Sequence, residues 1–379
     1  MNSRKALEMI LNREDPGRFV YAPNYWQWIT HRFNHNSMPE ELSQCTNQLE
    51  MIQQENLDVF SRNIYSDPYK YWFGGLSEKV LDGIETERIE EQEGGNTLTT
   101  IRYKMKEGVL EERLRYCHED STLVQDKFLI DDYETQLPLL ENLLERTSWK
   151  FSESKYREWD DRCGDSGFPV AGEFFSPLKM LHLYLGPVET TFLLSDNPET
   201  ALRLMKIHEE SQLDLMKEMT ASDVKAVMAM DNLDSMFHPP HYVEAYSASF
   251  YERAASVCHE NDAAFFIHAC GQQKANLKLI SDLGVDGLEG VAYPPLGDVT
   301  LDEAMDMTGS NFIISGGISA AETTNLKGKD DIHSYIENLL NRMKPYRNRF
   351  ILSASCNTAI ETPWPVLREF HNAWRQYGS

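Results

Sequence analysis

In the second half of the chain, short apolar runs ending in small or polar residues alternate with amphipathic stretches of helical period, the pattern of parallel strands joined by crossover helices. Five such runs are VKAVMAMDN (224–232), AAFFIHACG (263–271), GVDGLEG (284–290), NFIISGGIS (311–319) and RFILSASC (349–356), and FPVAGEF (168–174) is a sixth. RFVYAPN (18–24) and LDVFSRN (57–63) bring the number to eight. Eight strands with their helices in a chain of 379 residues predict an α/β fold, a TIM (β/α)8 barrel. Residues 1–379 read as one such domain.

Between the second and third strands the pattern changes. From ERIEEQEGGNTLTTIRYKMKEGVLEERLRYCHEDSTLVQDKFLI, polar residues alternate with β-branched ones and the alternation breaks at GG and EG, as in antiparallel hairpins. A β-rich insertion over 76–135 is expected here, returning to the barrel through the helical segment DDYETQLPLLENLLERT.

Composition narrows the class. Hydrophobic residues make up 41% of the chain, enough for a sizeable core, and no stretch approaches the roughly 20 apolar residues of a membrane span. The N-terminal MNSRKALEMILNRED is charged and helical in pattern, without an apolar signal core. A cytoplasmic protein is expected. With 36 Lys and Arg against 60 Asp and Glu the formal net charge is −24, which repels a phosphate backbone and disfavours nucleic acid as a partner. Six scattered cysteines lack the spacing of a disulfide framework, so reduced thiols are expected.

In a barrel of this type the functional groups lie at the carboxyl ends of the strands. His268 and Cys270 end the fifth run two residues apart, a spacing that points both side chains to one side, and Cys356 ends the eighth. An imidazole with two thiolates suits zinc, and three protein ligands leave one tetrahedral position for water or substrate. The same residues also suit a strand end with a hydrogen-bonded core histidine and buried thiols, and spacing alone does not separate the two. Asp231, Glu289 and Glu173 end the fourth, sixth and third runs, where a carboxylate serves as acid, base or ligand, or only as a cap. The loops after the first two strands are dense in aromatics, among them Tyr25, Trp26, Trp28 and Trp72, which suits either a pocket for a flat apolar ligand or core packing. The glycine pair in SGG (315–317) suits a phosphate loop or a tight turn, and His238 and His241 in HPPH do not have a metal spacing.

The succession HACG, LGVDGLEGVAYPPLGDVTLDEA, FIISGGI and FILSASCNTAIETPWPVL resembles the uroporphyrinogen decarboxylase superfamily over about residues 165–375. That resemblance implies a single TIM barrel. The decarboxylase branch holds its tetrapyrrole with an arginine-rich segment after the first strand, where this chain has YAPNYWQW. The branch of cobamide-dependent methyltransferases carries His-X-Cys and a distant Cys as zinc ligands, which fall here on His268, Cys270 and Cys356. It implies zinc, a corrinoid (cobalamin) carried by a partner protein, and a small methylated substrate. Asp231 and Glu289 are then expected beside the zinc, and Tyr25, Trp26, Trp28 and Trp72 against an aryl methyl ether whose methyl passes to Co(I). Thiol methylation from a methylated cobamide and metal-free decarboxylation are the alternatives, with a non-catalytic tetrapyrrole or corrinoid binder as a third.

Overall fold

The computed structural model of the chain describes residues 1–69 and 74–379. Each apolar run contains a strand. In chain order the strands are β1 (Val20–Tyr21), β2 (Val59–Ser61), β3 (Ser77–Leu81), β4 (Glu85–Glu93), β5 (Asn96–Lys104), β6 (Val109–Cys117), β7 (Thr122–Lys127), β8 (Thr147–Phe151), β9 (Gly167–Pro169), β10 (Ala171–Phe174), β11 (Ala226–Ala229), β12 (Ala264–His268), β13 (Gly287–Val291), β14 (Ile313–Ile318) and β15 (Phe350–Ala354).

Seven strands form one parallel sheet in the order β1-β15-β14-β13-β12-β11-β10. At its β10 end only Val170 separates β10 from β9, and β9 pairs in parallel with β2. At the other end, the N–H of Asp58, just before β2, donates to the Tyr21 carbonyl of β1 at 3.0 Å, and the Asp58 carboxylate accepts from the Tyr21 N–H at 2.8 Å. The parallel strands therefore follow one another around a ring in chain order, consistent with a TIM barrel. They are buried on both faces, so their sequences are continuous apolar runs.

Two cores divide those faces. Val20, Phe60, Phe168, Val170, Met228, Phe266, Ile313 and Ile351 fill the lumen, with Ala6, Leu7 and Ile10 of the helix Ser3–Leu11 packed against them. Their sequence neighbours Tyr21, Val59, Val227, Phe265, Ile267, Ile314 and Leu352 instead join the larger cluster under the surrounding helices. The two-residue period of a strand thus decides what reaches the lumen.

Between β2 and β9 lie a four-stranded antiparallel sheet, β4-β5-β6-β7, and a separate antiparallel pair, β3 with β8. Tyr103 and Leu110 of the larger sheet share a core with Leu137, Leu140 and Leu144 of the helix Tyr133–Glu145. Glu173 fixes the root of β3: its carboxylate accepts from the backbone N–H groups of Leu76 and Ser77 and from the Ser77 hydroxyl. Among the described residues, no helix is long and apolar enough to cross a membrane.

Candidate metal centre

Along β12, Phe265 and Ile267 face the helices while Ala264 and Phe266 face the lumen, so the next lumen position is His268. The adjacent strand places Glu289 beside it, the register pairing His268 with Glu289. His268 Nδ1 is hydrogen-bonded to Glu289 Oε2, and Arg62 Nε donates to the same oxygen at 3.2 Å. Arg62 stands two residues beyond the lumen residue Phe60. All three are at most 5% exposed. Burial disfavours charge on Glu289, yet the attraction of Arg62 and His268 outweighs it and holds the carboxyl down at about 2. With Nδ1 donating to that carboxylate, His268 presents the Nε2 lone pair to the other side.

On that side lie the two cysteines. Cys356 Sγ is 3.6 Å from His268 Nε2, and the donor atoms of His268, Cys270 and Cys356 all lie within 4.8 Å of one another. Tetrahedral zinc with Zn–N of about 2.0–2.1 Å and Zn–S of about 2.3 Å sets an N···S separation of roughly 3.6 Å. The donor set and its spacing therefore fit that ion. Cys356 has a φ of 126°, a conformation that L residues rarely adopt. Its carbonyl accepts from Asn24 Nδ2 at 2.8 Å, and the preceding Ser355 N–H donates to the Ile318 carbonyl at 2.9 Å. Strain at a side chain converging on two other donors is the usual mark of a functional position. A hydrogen bond from Cys356 favours the Cys270 thiolate, against burial and with help from Arg62, and lowers its pKa, whereas Cys356, donor of that bond and buried, is pushed up. All six cysteines are free.

Asp231 is fully buried and accepts from the Ser176 N–H at 2.8 Å and from the Tyr251 hydroxyl. Its direct partners are thus the N-cap of the helix Pro177–Asp196 and a residue of the helix Ala248–His259. Tyr25 and Trp28 lie in the core with the helix Trp364–Tyr377: Tyr25 Oη is 2.5 Å from His371 Nε2, and Trp28 Nε1 donates to the Thr362 carbonyl at 2.9 Å. Trp26 is buried two residues from Asn24, and its N–H donates to Asn24 Oδ1 at 3.2 Å. Trp72 lies outside the described residues. His238 is buried and His241 exposed, so HPPH brings no pair together. The glycines of SGG are strand rather than loop: Gly316 sits in β14, where a Cβ would meet the Val291 carbonyl oxygen at 2.2 Å. Sequence reasoning missed Arg62, whose signal was a charged residue two beyond an apolar one at the end of LDVFSRN.

A ring of parallel strands with a histidine and two cysteines gathered at their carboxyl ends defines a barrel protein with a candidate metal site. The uroporphyrinogen decarboxylase (URO-D) family profile matches residues 162–377, more than half of the chain, and the chain belongs to that family. Among solved structures, a methyltransferase from Methanosarcina mazei is similar over 100% of both chains, with a TM-score of 0.62 at 12% identity, and shares the fold. D-psicose 3-epimerase from Clostridium cellulolyticum H10 is similar over 64% of this chain and 85% of its own, at 12% identity and a TM-score of 0.39. A Thermobacillus composti GH10 xylanase covers 59% and 83%, at 13% and 0.32. No curated protein matches the sequence.

Proposed function

We propose that the protein is a zinc-dependent methyltransferase that moves a methyl group from a methylated small molecule, an aryl methyl ether, to the Co(I) corrinoid of a partner protein. The observation that carries this reading is the convergence of His268, Cys270 and Cys356 within 4.8 Å at the carboxyl ends of the strands, with Glu289 fixing the histidine tautomer. Family membership and the shared fold of a methyltransferase support it. So does the segment YAPNYWQW, which offers no arginine for the carboxylates of a tetrapyrrole.

In this reading His268, Cys270 and Cys356 hold the zinc, which when bound supplies the Lewis acidity that weakens the bond between methyl carbon and oxygen. Glu289 orients His268 and balances the charge of Arg62. Asp231 acts from behind, anchoring the helix Pro177–Asp196 at the mouth. Of the aromatic residues expected against the substrate, Tyr25 and Trp28 pack instead in the core with the helix Trp364–Tyr377. The chain is one cytoplasmic barrel domain, 1–379, and the β-rich insertion between the second and third barrel strands, expected over 76–135, runs on to β8 at Thr147–Phe151, which pairs with β3.

Metal analysis and turnover test it together. Wild-type protein prepared without chelator should hold one zinc per chain, and Cys270→Ser and Cys356→Ser should each lose most of it while remaining folded. Mixed with a methoxy aromatic and a reduced corrinoid protein, the wild type should yield demethylated product and methylated corrinoid in equal amounts. Zinc-free wild type, or zinc unchanged in both variants, defeats the metal site. Inactivity on a panel of methyl ethers, with rapid thioether formation from methylcobalamin and a thiol, would put the thiol-methylating activity in its place.

A further inference from the structure

Beside the metal centre, three basic side chains at the same end of the barrel have no hydrogen bond or ion pair with any described residue. Lys179 and His182 are one turn apart near the start of the helix Pro177–Asp196, and His238 lies in the loop after β11. The rings of His182 and His238 meet edge to face at 5.0 Å. Lys179 is within electrostatic reach of both histidines, of Asp231 and of the ligand Cys270. Asp231 does not quench it by direct contact, because its oxygens are engaged by the Ser176 N–H and the Tyr251 hydroxyl.

Leaving the buried Nδ1 of His238 unpaired is costly without a ligand. His238 is 1% exposed with Nδ1 unpartnered, and a buried polar atom in that state costs about 1–3 kcal/mol. Burial holds His182 at about 4 and His238 at about 3, so near neutral pH both are uncharged and each offers one N–H. Burial lowers the Lys179 pKa against the pull of Asp231 and Cys270, so its ammonium, the one cationic group of the cluster among neutral donors, gains from an anion bound beside it. Asp231 and the Cys270 sulfur nearby disfavour a dianion such as phosphate. A monoanion with two acceptor oxygens, a carboxylate, matches the set.

We propose that Lys179, His182 and His238 bind the carboxylate of the methyl donor, so that the substrate is a methylated aromatic acid rather than a neutral ether. The inference rests on the proposed methyl transfer for the word donor, but the binding subsite is testable apart from it. Titration calorimetry on zinc-loaded protein should show benzoate and 4-methoxybenzoate binding at least tenfold more tightly than benzamide and anisole. Lys179→Met should abolish that preference, Lys179→Arg should keep it, and His238→Gln should weaken the acids several-fold, all with zinc content unchanged. Should Lys179→Met not fold, His182→Gln serves as the second probe and is expected to weaken the acids alone. Equal affinity of the wild type for acid and amide, or an undiminished preference in both Lys179→Met and His182→Gln, overturns the subsite. Acid binding without any methyl transfer removes the methyltransferase reading and leaves the subsite standing, whereas transfer from neutral ethers as fast as from acids does the reverse.

Discussion

Glu289 answers to two neighbours at once. It accepts from His268 Nδ1, which leaves Nε2 free to bind metal, and it neutralises Arg62, only 3% exposed in the lumen. Glu289→Gln keeps the shape and one acceptor oxygen but removes the charge. Loss of such an outer partner of a ligand histidine typically weakens metal binding about 10–100-fold, and competition with a zinc chelator should read a change of that size. Glu289→Ala should add a fold defect, since stripping one partner from a buried ion pair costs about 3–5 kcal/mol. Zinc affinity unchanged in Glu289→Gln would reduce the carboxylate to a packing role. Asp231 makes the contrast: with Ser176 and Tyr251 as its direct partners, Asp231→Asn should cost stability, about 1–3 kcal/mol in denaturant unfolding, and leave zinc content intact.

At the scale of elements, the metal centre depends on how closely β12 and β13 approach. Gly290 has a φ of 110°, and a Cβ there would meet the Ala269 carbonyl oxygen at 2.5 Å and His268 Cε1 at 3.3 Å. Gly290→Ala must push β13 away from the histidine, so it should lose about 1–3 kcal/mol of stability through strain and zinc affinity with it. Gly316→Ala clashes with Val291 instead, away from the ligands, and should lose stability while zinc affinity stays near wild type. If both variants retained zinc equally, strand spacing would not be what positions His268. The eight barrel strands were legible because parallel strands buried on both faces leave unbroken apolar runs, and the i, i+2 spacing of His268 and Cys270 survived intact. The run itself could not say which parity faces the lumen, so the partnership of Arg62 with Glu289, 227 residues away in sequence, was invisible. The β-structure after the second strand was legible only in part. β8 pairs with β3 in TSWKF, beyond 135, and such long-range pairing leaves no local period to read. The aromatics around Trp28 looked alike for pocket and core, and only the neighbouring helix Trp364–Tyr377 tells where Tyr25 and Trp28 pack.

For the whole molecule, acid should act first through histidines kept neutral by burial rather than through the carboxylates that give the chain its formal net charge of −24. Burial lowers His182 and His208 to about 4 and His238 to about 3, against about 6.5 in the unfolded chain. Between those limits the unfolded state binds more protons than the folded one, so stability rises with pH and is lost as pH falls below about 6.5. Each such histidine contributes at most about 1.4 kcal/mol per pH unit. Protonating carboxylates would relieve self-repulsion and work in the opposite direction, but with ordinary pKa values near 4 they scarcely titrate above pH 5.5. His259, raised by its hydrogen bond to Asp286, and His268, raised against burial by Glu289 and Cys356, pull the other way. Burial also lowers His31 and His371, so on balance the metal-free protein should lose stability in urea from pH 6.5 to 5.5. His208 isolates the effect, since it lies away from the metal ligands and its Nε2–H donates to the Phe175 carbonyl at 3.0 Å. His208→Gln, which cannot take up a proton, should cost some stability at pH 7 and make the slope between pH 6.5 and 5.5 shallower by up to that single-histidine amount. A wild-type profile that is flat or improves on acidification over this window would mean that these imidazoles reach solvent and gain their protons without cost.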